Sequence, residues 1–273
     1  MSSTSPIGIL DSGLGGLSVL GEIRRELPNE TLVYVGDSAF CPYGSKPPAA
    51  IIERTRQISD WLISQGAKLI VIACNSATIT AVEALRAELL VPIVGMEPGV
   101  KPACAKTKSG VVGVLATEAS LAGEKFHRLL DHHATPNIRV ITRPCPRFVE
   151  LVEAGSLTGL EAEEAISEAI QPMLDEGADT LVLGCTHYPF LAPVIRQIAG
   201  PEVTLIDTGA AVARQVRSRL DQQSLLSDGD STPSAQLFSS GDAERMARLL
   251  PVLCPDLLAT IAPLPNLSDY VQG

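Results

Sequence analysis

The sequence lacks the basic footprint on which phosphate-backbone binding depends. Its 21 Lys and Arg stand against 31 Asp and Glu, a net charge of −10, which argues against nucleic acid as the main partner. The same deficit does not exclude an anionic substrate, because local backbone N–H groups and a few side chains decide whether a small carboxylate is held. No segment approaches the ~20 uninterrupted apolar residues of a membrane-spanning helix. The first residues, MSSTSPIGILDSG, carry no basic stretch ahead of an apolar one. The chain is therefore expected to be soluble and cytoplasmic. No C-x-x-C pair occurs among the six cysteines, Cys41, Cys74, Cys104, Cys145, Cys185 and Cys254, so neither a zinc site nor a disulfide framework leads, and free thiols in a reducing compartment remain. The 22 Gly and 20 Pro follow no period, which removes the collagen-like and low-complexity classes.

What is present is globular: 273 residues, 45% hydrophobic, enough for one large domain or two small ones. Short β-branched runs at residues 7–10, 32–35, 69–73, 93–94, 111–115, 139–141, 180–183, 203–206 and 235–238 predict strands. Most lack polar alternation, as expected of strands covered on both faces. Segments of helical period at 17–26, 49–64, 78–88, 118–130, 147–153, 160–175, 191–199, 210–220 and 243–250 lie between and after them. This rhythm predicts an α/β fold with mainly parallel sheet.

Self-comparison goes further. Residues 66–75, GAKLIVIACN, align without gaps on residues 177–186, GADTLVLGCT, both ending a strand on Cys followed by a small polar residue. Residues 7–12, IGILDS, likewise resemble residues 112–117, VGVLAT. Two matches in the same order imply two related α/β halves, the second starting near Val111. The tail beyond Asp207-Thr208-Gly209 has no counterpart in the first half, and it is expected to pack back on the first domain. Its polar stretch 227–234 predicts an exposed loop. The expected domains are residues 1–98 with 208–273, and residues 99–207, with the active site in the cleft between them.

Ligands of open α/β sheets bind beyond the carboxyl ends of the strands. Asp11-Ser12, Asp37-Ser38, Cys74-Asn75-Ser76, Thr117, Cys185-Thr186-His187 and Asp207-Thr208 all fall there. A single strand-end Cys reads as a small buried hydrophobe, but two at equivalent places in a repeat reverse that reading. They suit an inversion in which one group removes a proton from a tetrahedral carbon and its partner supplies one on the opposite face. Both cysteines are expected directly before helix starts, Cys185 most clearly because Pro189 suits a first helical turn. Cys41, Cys104, Cys145 and Cys254 lack this context and read as structural.

The turn Asp11-Ser12-Gly13-Leu14-Gly15-Gly16 sits like a dinucleotide fingerprint, but the third glycine position falls on Ser18. Its N–H groups suit a substrate carboxylate, with Asp11 able to take an ammonium. A plain tight turn with Asp11 as a cap accounts for this stretch equally well. His187, beside Cys185, is placed to assist proton transfer; a metal there would need ligands that the sequence does not position. Pro42-Tyr43-Gly44 reads either as an ordinary turn or as a loop over a ligand. Glu153 reads as part of a solvated helix face.

Residues 10–19 (LDSGLGGLSV), Pro42-Tyr43-Gly44, Cys74-Asn75-Ser76-Ala77 and residues 184–189 (GCTHYP) together closely resemble the glutamate racemases of the aspartate/glutamate racemase superfamily, from about Ile7 to Gly209. The resemblance implies a cofactor-independent enzyme of two α/β domains that supplies D-glutamate for peptidoglycan, most simply as a homodimer. It implies Cys74 and Cys185 as the acid/base pair, with Cys185 abstracting from L-glutamate and Cys74 reprotonating. It implies Asp11, His187 and Glu153 as assisting groups, and Asp11, Ser12, Tyr43, Gly44, Asn75, Ser76, Thr117, Thr186 and His187 as substrate-binding positions. Neither pyridoxal phosphate nor a metal is expected, and no lysine stands at a strand-end site. Ser76 stands where Thr is usual, Lys46 where Arg is common and Leu10 where Phe is frequent. The competing readings are an aspartate racemase, or a related enzyme on another carboxylic acid, and a binding protein without catalysis.

Overall fold

The computed structural model describes residues 2–229 and 233–267. Asp230, Ser231 and Thr232, within the expected loop at 227–234, lie outside the described residues. The chain begins β1 (Ile7–Asp11), α1 (Leu17–Glu26), β2 (Leu32–Gly36), α2 (Pro48–Ser64), β3 (Leu69–Ile72), α3 (Asn75–Glu88) and β4 (Ile93–Gly95). It continues through α4 (Val100–Lys106), β5 (Val111–Ala116), α5 (Glu118–Ala122), α6 (Glu124–His133), β6 (Arg139–Pro144), α7 (Pro146–Ala154), α8 (Leu160–Asp175), β7 (Thr180–Gly184), α9 (Ala192–Ala199) and β8 (Thr204–Ile206). It closes on α10 (Gly209–Gln222), β9 (Ala235–Ser239), α11 (Ala243–Leu253) and β10 (Thr260–Pro263). Short 3-10 turns occupy Tyr43–Ser45 and Tyr188–Leu191.

Two compact units result: the chain up to Met96 together with the chain from Gly209, and Glu97–Thr208. The first unit holds a six-stranded sheet in the order β10-β9-β2-β1-β3-β4, the second a four-stranded sheet in the order β6-β5-β7-β8. Every recorded strand pairing is parallel. Strands covered by helices on both faces must be apolar throughout, and all residues of β1, β2, β3 and β7 are buried.

The repeat seen in the sequence is a repeat of topology. The order β2-β1-β3-β4 in one sheet matches β6-β5-β7-β8 in the other. The register follows the sequence alignment: Ile7 lies opposite Leu69 on β3, and Val112 opposite Thr180 on β7. Gly8 and Gly113 occupy equivalent places on the two central strands. A Cβ on Gly8 would fall 2.9 Å from Ile70 Cδ1 and 3.1 Å from Leu62 Cβ on α2. On Gly113 it would fall 2.6 Å from Leu181 Cδ2 and 2.7 Å from Met173 Sδ on α8. Each sheet therefore has a crossing helix packed closely onto its middle strand, which only glycine permits.

In the first unit Leu10, Ile70 and Ile72 pack against Ile58, Trp61 and Leu62 of α2 and Ala77, Ala81 and Leu85 of α3. In the second, Val112, Val114 and Val182 pack against Val100, Ala103 and Phe126. At the foot of β3 the buried Lys68 ammonium lies 2.6 Å from Glu30 Oε2 and donates to the carbonyls of Ser3 and Leu225. The second Glu30 oxygen accepts from the Ser227 N–H at 2.9 Å. One ion pair thus fastens the N-terminal segment and the chain after α10 to the first sheet.

Some elements differ from the sequence expectation. The helix expected over 118–130 breaks at Gly123, whose backbone is extended (φ −68°, ψ 135°), and restarts as α6. The short α4 carries Pro102 in its first turn, where a missing N–H does no harm. Strand β10 is a Pro-terminated edge strand beside β9. Among the described residues no helix is long and apolar enough to cross a membrane.

Candidate active site

In the first unit, the carboxyl ends of β1 and β3 bring Ser12 and Cys74 together. The Cys74 thiol donates to Ser12 Oγ at 3.5 Å, and the Ala77 N–H donates to Cys74 Sγ at 3.5 Å. Cys74 is thereby the N-cap of α3, so the helix starts at Asn75, three residues earlier than its apolar period alone suggests. That position favours a thiolate, since the unsatisfied N–H groups and the dipole of a helix N-terminus stabilise negative charge.

Asn75 and Ser76 follow in the first turn, both buried. Asn75 is unusual: neither its Oδ1 nor its Nδ2 has a hydrogen-bond partner among the described residues. An orphaned buried amide costs roughly 1–3 kcal/mol in desolvation, and a site built to receive a ligand is one reason a chain retains it.

Asp11 is fully buried, and its Oδ1 accepts from the Gly13 N–H at 3.0 Å. That N–H is engaged within the loop, so one donor expected for a substrate is taken; the N-cap of α1 is Gly16, with no side-chain cap bond, and Asp11 closes the turn rather than capping the helix. Gly16 closes the loop tightly: a Cβ there would lie 2.4 Å from Asp11 Cβ and 2.8 Å from Tyr34 Oη. Tyr43 and the half-buried Gly44 form the 3-10 turn. The Tyr43 hydroxyl donates to Asp37 Oδ2 at 2.7 Å, and burial foremost, then the Asp37 carboxylate, hold the phenol well above its usual pKa.

In the second unit, β7 ends at Gly184 and delivers Cys185, Thr186 and His187, all buried. Cys185 Sγ stands 3.5 Å from His187 Nδ1, and His187 Nε2 stands 2.8 Å from Glu153 Oε1 at the end of α7. Burial opposes the imidazolium. The hydrogen bonds to Cys185 and Glu153 outweigh it and hold the His187 pKa well above the ordinary histidine value. Thr117 caps α5, its Oγ1 accepting from the Ser120 N–H at 3.2 Å.

The expectation that Cys185 directly precedes a helix needs correction. A turn and a 3-10 segment intervene before α9, with Pro189 in the 3-10 segment. Of the two thiols it is Cys74, with no proline after it, that caps an α-helix. Three other cysteines are held as thiols by burial: Cys145, whose pKa is pushed up to about 12, and Cys104 and Cys254, both raised.

Two participants escape sequence reasoning. Arg54 binds Asp37 from α2, and Tyr188 donates to the carbonyls of Ala116 and Cys145, both at 3.0 Å, under the Cys185 turn. Glu153, a solvated helix face by local pattern and an assisting group only by the resemblance, has its carboxylate on His187. Asp37 is signalled by its strand-end position, and Tyr188 by its place beside His187. For Arg54 there is no local signal. A hollow of about 200 Å³ beside Cys145, between Arg143, Arg147, Phe148 and Glu168, contains none of the candidate residues.

These positions fall within a wider likeness. A glutamate racemase of Stutzerimonas stutzeri (strain A1501) is 51% identical over 251 residues, covering 91% of this chain and 94% of its own. The crystal structure of a glutamate racemase isoform from Bacillus anthracis superposes with a TM-score of 0.86 at 30% identity, over 96% of this chain and 98% of that one. That of the Escherichia coli glutamate racemase, in complex with L-glutamate and an activator, superposes with a TM-score of 0.83 at 33% identity, over 96% of this chain and 100% of that one. The family model described as Asp/Glu/Hydantoin racemase matches residues 7–216. With more than half its length matched and relatives this similar along nearly all of it, the chain belongs to the Asp/Glu/hydantoin racemase family.

Proposed function

We propose that this protein interconverts L- and D-glutamate by moving the α-proton between two thiols. Cys185 abstracts the proton of L-glutamate: the Cα–H bond breaks and an S–H bond forms. Cys74 then gives its own proton to the opposite face of the same carbon. The reverse reaction exchanges the roles, and no electron leaves or enters. The supporting observation is positional: Cys74 and Cys185 follow strands β3 and β7, which occupy the same place in two sheets of the same strand order. His187, in contact with both Cys185 and Glu153, stands beside the sulfur to assist its proton transfer.

The hardest step is loss of a weakly acidic proton, which requires donors where carbanion charge develops. Asn75 offers an amide with both donor and acceptor open, a match for an amino acid that presents both a carboxylate and an ammonium. Ser12, Ser76, Thr117 and Thr186 add hydroxyls, and Asp11, Tyr43, Gly44 and His187 complete the proposed lining. The reaction uses no pyridoxal phosphate or metal in this reading. The protein acts in the cytoplasm as a homodimer and supplies D-glutamate for peptidoglycan.

The test is incubation with L-glutamate in D2O, followed by optical rotation and α-proton NMR, with L-aspartate in parallel and Cys74→Ser and Cys185→Ser beside wild type. Racemisation with α-deuteration, lowered about 100-fold or more in either variant, is expected. Turnover of aspartate alone would move the protein to the other substrate of the family. Full activity in either serine variant would defeat the two-thiol scheme. Size-exclusion chromatography with light scattering tests the dimer.

A further inference from the structure

Asp37 lies just past the carboxyl end of β2 and is fully buried. Both its oxygens are engaged. Arg54 of α2 grips them in a fork, Nε donating to Oδ2 at 2.8 Å and Nη2 to Oδ1 at 2.7 Å, and the Tyr43 hydroxyl donates to Oδ2 at 2.7 Å. The Asp37 N–H donates to the Asp11 carbonyl at 2.9 Å. One residue thus ties together α2, the 3-10 turn of Tyr43 and the end of β1. The ring of Tyr43 lies in the same buried cluster as Cys74, and its turn packs on α3, the helix that Cys74 caps.

A buried ion pair is a poor source of stability, because desolvating both charges cancels most of their attraction, and apolar residues of similar volume do as well or better. What a bidentate pair does supply is direction: the guanidinium fork fixes the carboxylate plane, and the plane fixes where a third donor must point. Here the third donor is Tyr43. Its only proton is committed to Asp37, so the phenol has none to offer a substrate, and its part in the site is to hold the wall beside Cys74.

We propose that Asp37 and Arg54 are positioning residues for the Cys74 half of the reaction, fixing the Tyr43 ring and through it the placement of the Cys74 thiol. This rests on the two-thiol glutamate racemase reading above. Cys185 and its His187–Glu153 chain lie in the other unit, outside this network. Disturbing the network therefore raises the barrier of one proton transfer and leaves the other as it was.

That asymmetry is measurable. Tyr43→Phe deletes one hydroxyl and leaves the ion pair whole; Arg54→Lys keeps the charge and loses the fork. In each, kcat/KM is expected to fall about tenfold. The primary isotope effect with α-deuterated D-glutamate, whose proton Cys74 removes, should rise, and that with α-deuterated L-glutamate should fall. A general loosening of the fold would not separate the two. Fluorescence of Trp61, the single tryptophan, verifies folding, and if Arg54→Lys does not fold, Tyr43→Phe decides alone. Active variants whose isotope effects do not diverge between the two isomers overturn the positioning role while leaving the racemase reading intact. A wild-type protein that neither racemises glutamate nor exchanges its α-proton overturns that reading, and this proposal with it.

Discussion

His187 bridges Cys185 and Glu153, with its two ring nitrogens 3.5 Å from the thiol and 2.8 Å from the carboxylate. Burial works against the imidazolium, and the contacts with the thiol and the carboxylate outweigh it, raising the His187 pKa well above the ordinary histidine value.

Removing the Glu153 charge should therefore be felt at the alkaline end of the pH profile. In Glu153→Gln the His187 pKa drops, so the fall in activity that accompanies loss of the imidazolium moves to lower pH, and the maximal rate declines by about tenfold, or ~1.4 kcal/mol. Linkage gives a matching stability signature. A raised folded-state pKa stabilises fully below the unfolded value of about 6.5, and this contribution disappears as pH rises through the folded value. The stability difference between wild type and Glu153→Gln is expected to be largest in mild acid and to vanish at high pH. Urea denaturation across that range measures it, and a pH-independent difference would contradict the charge assignment.

Asn75 should show opposite effects on stability and activity. Asn75→Ala removes a buried amide with no partner among the described residues, so thermal stability should hold or rise, by up to about 1–3 kcal/mol. Activity should fall at least tenfold in kcat/KM, because the substrate loses the amide proposed to bind it. Calorimetry and steady-state kinetics on one preparation test both halves. A variant that is less stable and equally active would reverse the assignment.

Lys68 and Glu30 test a different property, the anchoring of the chain ends to the first sheet. Both side chains are buried, at 0% and 2% exposure, so Lys68→Met leaves a carboxylate uncompensated and should cost about 3–5 kcal/mol. The double variant Lys68→Met, Glu30→Leu should recover much of that loss. Denaturant titration separates the two, and equal losses in single and double variants would show that the pair's charges do not matter.

Much of the fold is legible in the sequence because the apolar runs are local. Parallel strands buried on both faces betray themselves in four or five consecutive residues, and the segments 66–75 and 177–186 that align in sequence carry strands with equivalent registers against β1 and β5. Cys74 and Cys185 are legible for the same reason, as neighbours of those runs. What escapes is pairing across sequence distance. Glu153 meets His187 34 residues away and Arg54 meets Asp37 17 residues away, and nothing in either helix marks which polar side chain turns inward. The break at Gly123 and the edge strand β10 escape because four or five residues carry too little pattern to outweigh one glycine or one proline.

The duplicated sheets end in unlike chemistry: a hydroxyl escorts one thiol, and an imidazole backed by a carboxylate escorts the other. For a substrate whose two hands are mirror images, free solution makes no distinction, and the equilibrium constant is unity whatever the protein does. Detailed balance then forces kcat/KM to be equal in the two directions. Among the steady-state constants, the inequality between the escorts can surface only in how each direction divides that ratio into saturation and turnover. The enzyme is thus free to hold one enantiomer more tightly, provided that it turns that enantiomer over proportionately more slowly.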